Sequence, residues 1–181
     1  IENLFNKLKL TNENVLDLAC GKGRHSIFLN SLGLNVLGVD LSENSISLAS
    51  QYSNDTLSFA VHDMRKVIDN TTFDVVFNLF TSFGYFETTD EHIEMLQRIY
   101  EHLNEEGVFV FDFFNSNKVR AQGKEDRKVS KDGADFHITK EIKDNRIIKH
   151  IRIQKDTARL DFQESVALFA PNEMVEMFEA I

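Results

Sequence analysis

Apolar positions divide the chain into two regimes. Up to about residue 115, short runs of β-forming residues alternate with stretches in which apolar residues recur every three or four positions, the grammar of a parallel α/β sheet. Val15 to Ala19 reads as a buried strand, followed by a glycine-rich turn and a helix through about Leu32 that Gly33 closes. Val36 to Val39 is a second strand ending at Asp40, and Ser42 is placed to cap a helix carrying Ile46 and Ala49. Leu57 to Val61 and Phe73 to Phe80 read as strands three and four. Thr88 with Glu91 forms a capping box for a helix with Ile93, Leu96, Tyr100 and Leu103 on one face. That helix is expected to end at Gly107, with Val108 to Phe114 as strand five.

Beyond Asn115 the period shortens to two. Phe136/Ile138, Ile147/Ile151/Ile153 and Phe162/Val166/Leu168 alternate with charged residues, and turns are expected at Asp144-Asn145 and Asp156-Thr157. These runs predict a three-stranded antiparallel meander. Pro171 then opens a last helix with Met174, Val175 and Phe178 on one face. The expected organisation is a single domain: an α/β core over 1–115, an antiparallel β insertion over 116–168 and a final helix over 169–181.

Composition changes this picture little. At 181 residues, 42% apolar and 27% charged, the chain is long enough to bury a core of its own, and that core is built from Phe, with 16 Phe, 3 Tyr and no Trp. No apolar run approaches the roughly 18 residues that a membrane span needs. Cys20 is the only cysteine, so no disulfide framework or cysteine-rich metal site is expected, and a reducing, cytoplasmic setting fits. The six His are scattered and no metal is expected. A net charge of −9 argues against a bulk grip on nucleic acid, although residues 118–159 carry a local excess of basic groups. The chain opens on Ile1 and closes at Ile181 inside an apolar helical pattern, so both ends are expected to continue in a longer protein.

Candidate chemistry collects where strands end. In an open α/β sheet a ligand sits at the carboxyl ends of the strands, beside the point where strand order reverses. Asp17-Leu18-Ala19-Cys20-Gly21-Lys22-Gly23 runs off strand one into a helix; its glycines let backbone approach a ligand, and the helix start offers free N–H groups. Asp17 suits a cationic or amine-bearing ligand and would repel a pyrophosphate. Cys20 reads as the small side chain that the turn needs. Asp40 is placed to accept from both ribose hydroxyls of a nucleotide-like ligand, or to serve as a turn acid. In His62-Asp63-Met64-Arg65, Asp63 is placed to accept from an adenine amino group while Met64 covers the ring; its plainer reading is a capping acid. Asn78 to Phe86 crowds aromatics at the end of strand four, to wall an acceptor pocket or to pack the sheet edge.

The strings "VLDLACGKGRHSIFLNSLGLNVLGVDLSENSI", "FAVHDMR", "FDVVFNLFTSFGYF" and "EEGVFVFDFFN" resemble, in order and spacing, the successive motifs of the class I S-adenosylmethionine-dependent methyltransferases. The resemblance covers about residues 13 to 115, and "APNEMVEMFEAI" resembles the helix before that fold's last hairpin. It implies a doubly wound, mostly parallel Rossmann-like methyltransferase sheet, with a small antiparallel β-meander inserted after strand five. It implies S-adenosylmethionine as cofactor and S-adenosylhomocysteine as product. By position, Asp17 and the turn Ala19, Cys20, Gly21 and Gly23 would hold the methionine moiety and Asp40 the ribose. Leu41 would flank the adenine, Asp63 and Met64 would bind it, and Asn78, Leu79 and Phe80 would line the methionine side near the sulfur. Two departures stand out: Ala19 replaces the usual first glycine, and the final strand pair would lie beyond Ile181.

Transfer of a sulfonium methyl asks mainly that the nucleophile be held in line, so no catalytic base is demanded. None is named; Tyr85, His25 and Asn115 are within reach of an acceptor, each with a plain structural reading. The meander is expected either to cap the acceptor site, which points to a small-molecule acceptor, or to form a homodimer contact. A nicotinamide-dependent oxidoreductase fits less well, because Ser26 stands where the dinucleotide fingerprint needs Gly or Ala and Asp17 would face a pyrophosphate. An RNA-directed methyltransferase draws support only from the basic meander, since Asn78-Leu79-Phe80-Thr81 lacks the prolines of amino-directed base methylation. A non-catalytic S-adenosylmethionine-binding scaffold is the remaining alternative.

Overall fold

Five parallel strands in the order β3-β2-β1-β4-β5 form the first of two sheets in the computed structural model, which describes residues 10, 11 and 13–181. The strands are β1 (Asn14–Leu18), β2 (Asn35–Asp40), β3 (Leu57–Val61), β4 (Phe73–Asn78) and β5 (Leu103–Phe111). Helices α1 (Arg24–Ser31), α2 (Glu43–Ala49) and α3 (Thr89–His102) alternate with them. β1 and β4 are buried almost end to end, as near-continuous apolar strands must be in a sheet covered on both faces. Val15, Leu29, Leu34, Val36, Leu57, Val75 and Phe77 make the centre of this core.

Local signals behave as the chain chemistry requires. Gly33 takes φ +94° and donates its N–H to the Asn30 carbonyl at 2.9 Å, closing α1. Ser42 Oγ accepts from the Ser45 N–H at 3.2 Å and caps α2. Strand and helix ends differ from the expected ones where the backbone turns early. β1 stops at Leu18 because Ala19 is left-handed, and β4 stops at Asn78 because Phe80 and Thr81 are. α3 ends at His102 rather than Gly107, and β5 begins at once with an irregularity. Phe73 pairs with Leu103, yet Val75 pairs with Val108, so Asn104 to Gly107 loop out of register. A side chain on Gly107 would meet the Asn104 carbonyl at 2.9 Å, which is why glycine fits that loop.

The described residues divide into two compact units, one comprising those up to Ser82 with Asp90–Phe113, the other Phe83–Thr89 with Phe114–Ala180. In the second unit, α4 (Ser116–Gln122) is capped by Asn115 Oδ1, which accepts the Lys118 N–H at 3.0 Å. Its sheet has four antiparallel strands, not three: β6 (Glu125–Lys131), β7 (Ala134–Lys143), β8 (Arg146–Lys155) and β9 (Ala158–Ala167). β6 lacks apolar alternation because it is an edge strand whose only large apolar residue is Val129, and charge on an edge discourages further pairing. Asp132-Gly133 and Asp144-Asn145 make the tight left-handed turns between strands.

Arg146 binds the Phe83–Thr89 segment through its backbone. Its Nη1 donates to the Phe86 carbonyl at 2.9 Å and its Nη2 to the Gly84 carbonyl at 3.1 Å, while Nε reaches Ser165 Oγ at 2.8 Å. The Ala167 N–H donates to the Gly84 carbonyl at 2.8 Å. α5 (Pro171–Glu179) starts at Pro171 and half-buries the expected Met174, but its buried residue is Met177 while Val175 and Phe178 are exposed, so the apolar face lies about a quarter turn from the expected one. Among the described residues no helix is long and apolar enough to cross a membrane.

Candidate active site

Strand order reverses between β1 and β4, and the carboxyl ends of the first sheet's strands are held side by side there. Leu18 pairs with Val39 and with Asn78, Asp40 with Val61, and Asn78 with Phe111. The four segments singled out in the sequence therefore start from one edge of one sheet.

The turn after β1 is unusually left-handed, with φ of 58°, 57° and 76° at Ala19, Gly21 and Gly23. The two glycines are present for different reasons. A side chain on Gly23 would strike the Phe59 ring at 2.6 Å and approach Ala49 at 3.1 Å, whereas one on Gly21 would meet nothing within 4 Å among the described residues. Gly21 is thus uncrowded by the described residues, and its N–H donates to Asp40 Oδ2 at 2.8 Å. Asp40 Oδ1 accepts the Ser42 N–H at 2.8 Å, so one carboxylate ties the turn after β1 to the end of β2. Leu41, beside it, is 68% exposed.

Asp17 lies one residue before the end of β1, almost fully buried, where Ser26 Oγ donates to its Oδ2 at 2.6 Å. Burial pushes its pKa up to about 6, against the pull of the Ser26 bonds. Burial, with the fields of Asp17 and Asp40, pushes the Cys20 thiol up to about 12, so it stays protonated and unreactive.

After β3 the structure supplies a partner that sequence reasoning left unassigned. Arg65 donates from Nη2 to Asp63 Oδ2 at 2.7 Å and from Nε to Oδ1 at 3.1 Å, and from Nη1 to Glu91 Oε1 at 2.8 Å. These bonds hold the Asp63 carboxyl down at about 2. Asp63 is thus a carboxylate with a fixed orientation, and Met64 beside it is half-buried.

At the end of β4, Asn78 is wholly buried, and its Nδ2 donates to the Leu18 carbonyl at 3.3 Å. Its Oδ1 has no hydrogen-bond partner among the described residues, an acceptor left over at the β1–β4 switch point. Leu79 is buried, and Phe80 is 66% exposed, stacked on His25 at 4.7 Å between ring centroids. Arg24 lies over the same ring at 5.0 Å. Burial and the adjacent Arg24 push the His25 pKa down. Of the other acceptor candidates, Asn115 is engaged as the α4 cap, while Tyr85 is half exposed in the second unit, its hydroxyl pKa raised by burial and Glu164.

A family model described as a methyltransferase domain matches residues 15–107. The chain belongs to the class I S-adenosylmethionine-dependent methyltransferases. It is 37% identical over 108 residues to YqeM of Bacillus subtilis (strain 168), a methyltransferase by name, a match spanning 58% of this chain and 44% of that one. It is 33% identical over 100 residues to the dTDP-3-amino-3,4,6-trideoxy-alpha-D-glucopyranose N,N-dimethyltransferase of Streptomyces venezuelae, covering 55% and 41%. The chain thus spans about half the length of the curated relatives it matches. In fold it is similar to an S-adenosylmethionine-dependent methyltransferase from Clostridium acetobutylicum ATCC 824, with a TM-score of 0.85 at 22% identity, covering 98% of this methyltransferase and 76% of that one. The Rossmann-like parallel sheet with an added antiparallel sheet, expected from the sequence, is the architecture of this chain, and its fold is shared with that structure.

Proposed function

We propose that this methyltransferase moves the methyl group of S-adenosylmethionine to a small-molecule acceptor, and that it holds the cofactor at the carboxyl ends of β1 to β4. The observation that carries the reading is the Gly21–Asp40 hydrogen bond at 2.8 Å. It sets a carboxylate and a glycine that no described residue crowds together at the carboxyl ends of β1 and β2, beside the switch point. The donor set fits the cofactor. Asp17 and the unpartnered Asn78 Oδ1 offer a negative field and a free acceptor to a cationic, amine-bearing methionine end. Asp40 faces the ribose, Leu41 and Met64 flank the adenine, and Asp63, oriented by Arg65, meets its edge.

When bound, S-adenosylmethionine supplies a methyl group already activated by its sulfonium. The chain's own contribution is then positional. The Ala19–Gly23 turn and Asp40 anchor the cofactor, Leu79 and Phe80 wall its methionine side, and alignment lowers the barrier by up to roughly 7–11 kcal/mol. The relative that modifies an amino sugar supports an amine as the acceptor group.

Calorimetric titration with S-adenosylhomocysteine tests the cofactor half of this reading. Micromolar binding that Asp40→Ala abolishes is expected; a folded chain that binds no S-adenosylhomocysteine would refute it. An acceptor screen that starts with small amines and reads S-adenosylhomocysteine release tests the other half.

A further inference from the structure

Phe80 and Thr81 leave β4 with φ of 59° and 58°, two consecutive non-glycine residues in the left-handed region. L-residues pay a steric penalty there, and a β-branched Thr pays most. Such a pair persists only where its surroundings over-determine it, and these pairs gather at functional sites. Here the bracing comes from Asp112, the residue after β5. Its Oδ2 accepts the Phe80 N–H at 3.1 Å and its carbonyl accepts the Thr81 N–H at 3.2 Å. Its own N–H donates to the Asn78 carbonyl at 3.0 Å. The Phe80 ring is thereby presented to the first two residues of α1, Arg24 and His25.

We propose that Asp112 is a positioning residue for cofactor binding: it braces the left-handed Phe80–Thr81 turn and so keeps the wall at the end of β4 in the shape that S-adenosylmethionine meets. The inference rests on the reading of Asn78, Leu79 and Phe80 as part of that wall. Asp112 acts through the turn and needs no contact with the cofactor. Without its side chain the turn relaxes toward right-handed or extended backbone, and the Phe80 ring leaves its stack on His25.

The test titrates S-adenosylhomocysteine into the full chain and into Asp112→Asn, Asp112→Ala and the double variant Asp112→Ala/Thr81→Gly. Asp112→Asn keeps an acceptor oxygen and is expected within about threefold of wild type, whereas Asp112→Ala binds about tenfold more weakly. In the double variant glycine takes a positive φ without steric cost, so binding is expected to recover to within about threefold. A residue important only for stability would lower the melting temperature and leave Kd unchanged. That result overturns the proposal, as does a double variant that binds no better than Asp112→Ala. Should Asp112→Ala not fold, hydrogen exchange in the unaltered chain decides. Slow exchange at the Phe80 and Thr81 amides, slowed further by S-adenosylhomocysteine, supports the brace, and free exchange overturns it. A wild-type chain that binds no S-adenosylhomocysteine refutes the cofactor reading itself. Wild-type binding with an unaffected Asp112→Ala refutes the Asp112 role alone.

Discussion

The hydroxyl of Ser26 donates to the carboxylate of Asp17 across 2.6 Å, joining the first turn of α1 to the end of β1. This pair makes the site sensitive to pH. Asp17 has a native pKa raised from 3.8 to about 6, so between those values the folded chain holds a proton that the unfolded chain releases. The stability this provides is fully present below pH 4 and lost as pH rises through 6. Asp17→Asn is expected to flatten that dependence in thermal melts across pH 4 to 7.

Binding runs the opposite way. A cationic methionine end favours ionised Asp17, so a protonated carboxyl must first lose its proton. Affinity for S-adenosylhomocysteine is expected to fall as pH drops below 6, by up to about tenfold per unit. A pH-independent affinity in the wild type, measured by calorimetry, would separate Asp17 from the ligand.

The two glycines of the first turn should respond differently to alanine. Gly23→Ala forces a methyl group onto Phe59, 2.6 Å away, and adds left-handed strain. A loss of roughly 2–4 kcal/mol is expected. Gly21→Ala meets only the conformational penalty, about 1 kcal/mol, or roughly 2–4 °C of melting temperature in a chain this long. Its larger effect is expected on cofactor affinity, because the methyl group projects beside Asp40, where no described residue lies within 4 Å.

Cys20 should behave as an inert thiol. Its pKa near 12 and its burial predict slow modification by a disulfide reagent at pH 8, with full reactivity restored in denaturant. Fast labelling of the folded chain would show that the turn opens.

Arg146→Ala removes the guanidinium bonds to Gly84 and Phe86. Faster proteolysis within residues 83–89 is expected, with S-adenosylhomocysteine affinity close to wild type. Unchanged proteolysis would mean that the Ala167–Gly84 bond suffices to hold the segment.

The parallel core was legible because each strand is a short apolar run followed by a polar or glycine residue that ends it. Asp40 and Gly21 are such residues, and their order along the chain already implied one sheet edge. Partners fixed by tertiary structure were not legible. Arg65 reaches Glu91 across 26 positions, and Asp112 reaches Phe80 across 32. Neither spacing is a local pattern, so the motifs that contain Arg65 and Asp112 do not reveal which residues they hold. β6 escaped for a related reason: an edge strand is held by its neighbour's backbone, and its own side chains need carry no alternation. The left-handed turn at Phe80 was hidden because neither Phe nor Thr advertises that conformation.

Arg146 recognises its segment by main-chain carbonyls, which every amino acid carries. The grip is therefore blind to the identity of residues 85 and 86. Substitution there leaves the anchor intact, so mutation can sample new side chains at these positions without first dismantling the support beneath them. Where an ion pair would have to co-evolve with its partner, this arrangement lets one part of the chain drift while the other stays constant.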